Sequence, residues 1–304
     1  MSFLKIAYNK IYKHDLGIDH RFPMEKYDLI PKKLISSNVV SNQNFFDPVD
    51  IEEHNIFLTH DKDYYKNLTS FNLTKNQTRS IGFPLSKNLI EREKKIAQGT
   101  IECSLFSIKN GISMNIAGGT HHAFREKPGA FCMLNDQAIA ANFLLENNYS
   151  KQILIIDLDV HQGDGTASIF KNDRRVFTLS FHGKNNYPFR KEISDLDYEF
   201  DDRTEDDFYL NTLNKTLPDL VNKIEPDFIF YLAGVDVLEN DKLGRLSMSL
   251  QGCRERDKIV IDICKKMKIP IQISMGGGYS SSIDEIVEAH CNTFVTAQEI
   301  FFNE

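Results

Sequence analysis

The stretch QILIIDLDVHQGDGT, residues 152–166, decides the reading of the chain. It opens on a near-continuous apolar run rich in Ile and closes on acidic residues, a histidine and glycines. A strand covered by helices on both faces has this texture, because neither set of alternating side chains meets water. Comparable runs recur at ISMNIAGG (112–119), VFTLSFH (176–182), DFIFYLAGV (227–235) and IPIQISMGGG (269–278). Stretches with apolar residues at helical spacing stand around and between them, at 91–111, 135–148, 204–224, 253–268 and near 282–302. Such alternation predicts an α/β fold built on an open, mainly parallel sheet, doubly wound with helices on both faces.

A chain of 304 residues is long enough for two domains. No Pro/Gly/Ser linker or charge block interrupts the alternation, so a single domain over 1–304 is expected, with 91–304 as its main body. Residues 1–90 are rich in Asn, Lys, Asp and aromatics and weakly periodic; they read as loops and short helices such as DKDYYKNL (61–68). The loops from about 15 to 95, with Phe22, Phe45, Phe46 and Phe83, are expected to form part of a rim.

Hydrophobic residues at 41% and charged residues at 26% exclude disordered and collagen-like classes. A formal charge of −7 argues against a broad nucleic-acid-binding surface. Five scattered cysteines without a Cys-x-x-Cys pair point to a reducing compartment. With no signal peptide and no long apolar segment, a cytoplasmic protein without membrane association is expected. Oligomeric state is left open, a monomer included.

In open α/β sheets, ligands gather outside the carboxyl ends of the strands. Thr120, His121 and His122 follow the first apolar run; Asp157, Asp159, His161 and Asp164 follow the second; Asp236 and Tyr279 follow the last two. Asp159 and His161, two apart on a strand end, can face one side, and Asp236 can arrive from a neighbouring strand. Carboxylate, imidazole and carboxylate with open positions suit a catalytic Zn²⁺, with Fe²⁺ or Co²⁺ as substitutes. Turn-closing or helix-capping aspartates are the plainer alternative. The tandem histidines, from one extended segment, would diverge; one imidazole can take a proton while the other holds charge, with Asp157 and Asp164 available to orient them. Tyr279, after three glycines, can donate to an oxyanion or be an incidental aromatic. Gly163, Gly234 and Leu238 occupy the positions where a second metal would need carboxylates, which argues for one metal rather than a two-manganese site.

The segments GGTHHAF (118–124), GAFCMLND (129–136), IIDLDVHQGDGT (155–166), LAGVDVLENDKLG (232–244) and MGGGY (275–279) resemble, in order and spacing, the zinc-dependent histone deacetylase superfamily on the arginase/deacetylase fold. HRFPMEKY (20–27) and THDKDYYKNL (59–68) are similar to its bacterial and class IV members. The resemblance implies a hydrolase that removes acetyl or longer acyl groups from the lysines of a protein or peptide, using Zn²⁺ on Asp159, His161 and Asp236 and an activated water. It implies His122 as general base and then acid, His121 as its electrostatic partner, Asp157 and Asp164 as orienting groups, and Tyr279 on the oxyanion. A structural K⁺ would involve Asp157, Asp159, His161, Ser180 and Phe181. Phe131 and Tyr187 would be walls of a substrate tunnel, core aromatics being the plainer reading. Thr120 and Ala130 depart from residues common in relatives. Deacetylation of small molecules such as acetylpolyamines, and a non-catalytic acyl-lysine binding module, are the alternatives.

Overall fold

The computed structural model describes residues 3–17 and 20–302. Its strands are β1 (Lys5–Ala7), β2 (Phe45–Phe46), β3 (Ile112–Asn115), β4 (Ile153–Asp157), β5 (Val176–Gly183), β6 (Leu196–Phe200), β7 (Phe228–Leu232) and β8 (Ile271–Ser274). They form one open sheet in the order β2-β1-β3-β8-β7-β4-β5-β6, and each of the pairings is parallel. The helices are α1 (Lys26–Ser36), α2 (Glu53–Phe57), α3 (Lys62–Thr69), α4 (Lys75–Ile81), α5 (Lys87–Asn110), α6 (Asp136–Glu146), α7 (Asp164–Phe170), α8 (Asp206–Ile224), α9 (Leu250–Met267) and α10 (Ile283–Phe302).

Every residue of β3, β4, β7 and β8 is buried. Successive side chains on a strand point to opposite faces, so this pattern requires cover on both sides of the sheet. The strands lack alternation for that reason, and the expected α/β architecture stands. Helix ends follow local chemistry. Ser86, Asn135 and Ser249 cap α5, α6 and α9 by accepting the N–H groups of Leu89, Ala138 and Gly252.

From β4 the chain runs outward through β5 and β6, then returns to lay β7 on the other side of β4. The carboxyl ends of β4 and β7 therefore diverge in connection at adjacent positions, which opens a crevice at the switch point. Asp159 leaves β4, and Asp236 leaves β7, at this edge.

The first ninety residues differ from the expected loops and short helices. DKDYYKNL does become α3, but β1 and β2 extend the sheet beyond β3. Strands of three and two residues are too short to display a period; β1 pairs with β3 across more than a hundred residues of sequence, and β2 pairs with β1. Phe45 and Phe46 are the edge strand β2, where Phe46 packs on Phe106 of α5 with ring centroids 5.0 Å apart. They do not form a rim with Phe22 and Phe83, which line the central cavity.

All five cysteines are free and buried. Among the described residues, no helix is long and apolar enough to cross a membrane.

Candidate metal and catalytic centre

Asp159 and His161 lie just past the end of β4, and Asp236 four residues past β7. All three are buried, at 1%, 8% and 0% exposure, and one ligand atom from each falls within 4.8 Å of the others. His161 Nδ1 lies 3.0 Å from Asp159 Oδ1 and 3.1 Å from Asp236 Oδ2. Tetrahedral ligands at zinc distances are separated by about 3.3 Å, so the donor set fits that ion in type and spacing. Backbone amides orient both carboxylates: Gly277 N–H donates to Asp159 Oδ2 at 2.8 Å, and Val160 N–H to Asp236 Oδ1 at 3.0 Å.

The electrostatics fit a cation as well. Burial and the adjacent Asp159 push the Asp236 carboxyl up to about 7. Burial would also raise Asp159, but His121 and then His161 hold it well below the carboxylate range. Against the burial that disfavours its charge, His161 is raised to about 10 by the two carboxylates. A dication held by the three side chains would replace that proton and keep both carboxylates ionised. Among the described residues this is the one such cluster of acidic, histidine or cysteine side chains.

His121 and His122 lie in a turn rather than an extended segment, so their rings do not diverge; the centroids are 4.1 Å apart. Each Nδ1 finds its own carboxylate, Asp157 Oδ2 at 2.7 Å for His121 and Asp164 Oδ1 at 2.6 Å for His122. Burial, then the charge on His121, lower His122 to about 4. His121 rises to about 9, because Asp157 and then Asp159 outweigh its burial. Carboxylates only accept, so Nδ1 of neutral His122 carries the proton and Nε2 keeps a lone pair.

The turn is pinned from below. Thr120 N–H and Oγ1 both donate to Asp136 Oδ1, at 2.9 and 2.7 Å. Gly119 has φ +75°, and a Cβ there would come within 2.8 Å of the Gly276 backbone. Glycine at these two loops lets the histidine turn lie against the segment carrying Tyr279.

Tyr279 reaches the same space from β8. Burial, then Asp236 and Asp159, push its phenol well above the ordinary value, which keeps it a donor. Its N–H donates to Asp241 Oδ2 at 2.5 Å. A cavity of about 530 Å³ is lined by both histidines, Asp159, His161 and Tyr279, with Phe131, Tyr187, and Ile96 and Arg92 of α5 also in its wall. Tyr187 meets His122 edge-on at 4.8 Å, and Phe131 lies 6.0 Å from Tyr279. Phe131 holds φ +63°, a costly conformation for an aromatic, secured by its N–H bond to Ile81 O at 2.8 Å. Ser180 faces Asp157 across the β4–β5 ladder, and its Oγ bonds His182 Nδ1 at 2.9 Å; Phe181 is fully buried beside it.

Two residues near Tyr279 were not singled out from sequence. Asp241 accepts the N–H groups of Leu243 and Gly244, both at 2.8 Å, besides that of Tyr279. Lys26, fully buried and lowered to about 8 chiefly by that burial, donates to Gly276 O at 3.2 Å. Both sit inside the quoted segments VLENDKLG and HRFPMEKY, but an acid in a loop and a lysine opening a helix read as solvated.

The histone deacetylase domain, as a protein-family model, matches residues 20–294. An uncharacterized protein of Picosynechococcus sp. is 36% identical over 296 residues, 97% of this chain and 99% of its own. Histone deacetylase 2 of Arabidopsis thaliana is 27% identical over 299 residues, covering 94% of this chain and 77% of its own. The crystal structure of an HDAC homolog from Aquifex aeolicus shares the fold with a TM-score of 0.83 at 21% identity, over 99% of this chain and 85% of that one. Since the family's domain takes in nearly the whole alternation of strands and helices, and with it every strand end that meets at the cavity, the chain belongs to the histone deacetylase family.

Proposed function

We propose that this chain is a zinc-dependent amidohydrolase that removes acetyl or longer acyl groups from lysine side chains. The observation that carries the reading is the convergence of a buried Asp/His/Asp set, two separately paired histidines and a protonated tyrosine on one cavity. Asp159, His161 and Asp236 would hold the ion, which supplies Lewis acidity toward the acyl carbonyl and the attacking water.

The remaining work falls to the chain's own groups. His122, neutral at physiological pH, accepts the water's proton at Nε2 while its Nδ1–H stays on Asp164. It then returns the proton to the departing lysine amine. His121, charged and fixed by Asp157, limits the positive charge that His122 can keep and so favours that return. The Tyr279 phenol donates to the oxyanion that develops as the carbonyl is attacked. Phe131 and Tyr187 enclose the lysine stem, and a cavity of about 530 Å³ whose wall includes Ile96 gives room for acyl groups longer than acetyl. A K⁺ ion held about Asp157, Asp159, His161, Ser180 and Phe181 would brace the ends of β4 and β5 beneath this centre. The chain would act as one catalytic domain over residues 1–304.

Dialysis against a chelator, followed by assay of acyl release from an acyl-lysine peptide with and without returned zinc, tests the reading. Activity is expected to vanish and to return with zinc. Hydrolysis indifferent to both treatments overturns the metal mechanism; metal binding without hydrolysis of peptides or small amides favours a binding module.

A further inference from the structure

On the reading that the chain deacylates lysine, we infer that its polypeptide substrate carries acidic residues beside the acyl-lysine. The chain as a whole has a formal charge of −7, yet the cavity mouth has the opposite sign. Asp159, at the metal cluster, is the one carboxylate residue among the described residues lining the cavity, whereas five cationic residues line it. Arg92 is buried in an ion pair with Glu93, and Arg245 pairs with Asp202 at 3.2 Å. That leaves Arg21, Arg79 and Lys242, all exposed and none in an ion pair with a described residue.

The three are tied to the tunnel rather than scattered. The Arg21 guanidinium lies over the Phe131 ring, 5.1 Å from its centroid. Arg79 lies in the last turn of α4, and its carbonyl accepts the N–H of Gly82, the residue packed against that same ring. Lys242 donates its N–H to Tyr279 O at 3.3 Å. All three residues thus belong to the lining of the cavity that the acyl-lysine would enter. Phe189, 88% exposed, offers an apolar lip beside them.

Unpaired cations at a concave, low-dielectric opening focus potential outward and favour anionic flanks. A polybasic segment or a protonated polyamine meets the reverse. Each exposed pair contributes little, but three acting together amount to roughly a tenfold preference at low salt.

The test uses the zinc-loaded protein and three peptides that share one acyl-lysine but differ in flanks: Asp/Glu, uncharged, and Arg/Lys. The acidic peptide is expected to exceed the basic one by about tenfold in kcat/KM, mainly through KM, with the gap closing at high salt. The double variant R79E/K242E is expected to reverse their order. Equal rates, preference for the basic peptide, or an order that the charge reversal leaves unchanged overturns the inference while the deacylase reading stands. Failure to hydrolyse any of the three overturns the deacylase reading itself and the inference with it.

Discussion

Asp241→Asn replaces one carboxylate oxygen by an NH₂ group outside the cavity lining, and it is expected to lower both stability and turnover. One carboxylate oxygen of Asp241 accepts the N–H groups of Leu243 and Gly244, and the other accepts that of Tyr279, in a side chain only 9% exposed. The amide can keep its oxygen toward one side only. If it faces Leu243 and Gly244, its NH₂ opposes the Tyr279 N–H, and one charge-assisted hydrogen bond worth about 1.5–3 kcal/mol is lost. For a chain of 304 residues the unfolding entropy is about 0.6 kcal/mol/K, so a loss of about 2 kcal/mol lowers Tm by about 3 °C. Asp241→Ala leaves three half-buried donors without their acceptor and is expected to cost correspondingly more. The activity effect follows from position: a shift of about 1 Å in the phenol is worth up to about a hundredfold in rate. Calorimetry gives the first quantity. Steady-state hydrolysis of an acyl-lysine peptide gives the second, with kcat falling and KM nearly constant. An Asn variant that melts with the parent and turns over at the parental rate refutes the idea that Asp241 positions Tyr279.

Tyr279→Phe removes the donor without disturbing the Asp241 clamp on its main chain. Turnover is expected to fall by about two to three orders of magnitude, while zinc content by atomic absorption and Tm stay at parental values; undiminished turnover removes the tyrosine from the mechanism. Away from the metal site, His60 is fully buried, and that burial lowers it to about 4, while its ring bonds Phe124 O and accepts the Asn135 N–H. Because the folded value lies below the ordinary one near 6.5, the unfolded chain binds the extra proton between these values. His60 therefore contributes stability that is full above about pH 6.5 and is lost as pH falls toward 4, amounting to about 3 kcal/mol. Urea unfolding across that window should show the stability gap between the parent and His60→Gln narrowing on acidification; a gap independent of pH contradicts the assignment.

Sequence by itself determined the α/β alternation and pointed to the candidate residues of the site. Buried parallel strands must be apolar throughout, and their polar residues are forced to the ends, so the runs before Asp157 and Asp236 announce both strand and site. What it did not determine was how these ends meet. That Asp236 reaches Asp159 depends on β7 returning to lie beside β4, a long-range pairing with no local signature. β1 and β2 have no local signature for the same reason, since β1 owes its conformation to β3 and β2 to β1. Tertiary structure also decided the electrical character of the site. Opposite shifts of adjacent His121 and His122 arise because Asp157 and Asp159 outweigh burial at His121, whereas burial and the charge on His121 outweigh Asp164 at His122. The same holds at the mouth. An excess of acids over bases is a property of the chain, but which charges ring the tunnel depends on where the loops bearing Arg21 and Lys242 and the helix bearing Arg79 come to rest. Charge follows composition, whereas potential at a point follows distance, and distance between residues far apart in sequence exists only once the chain has folded.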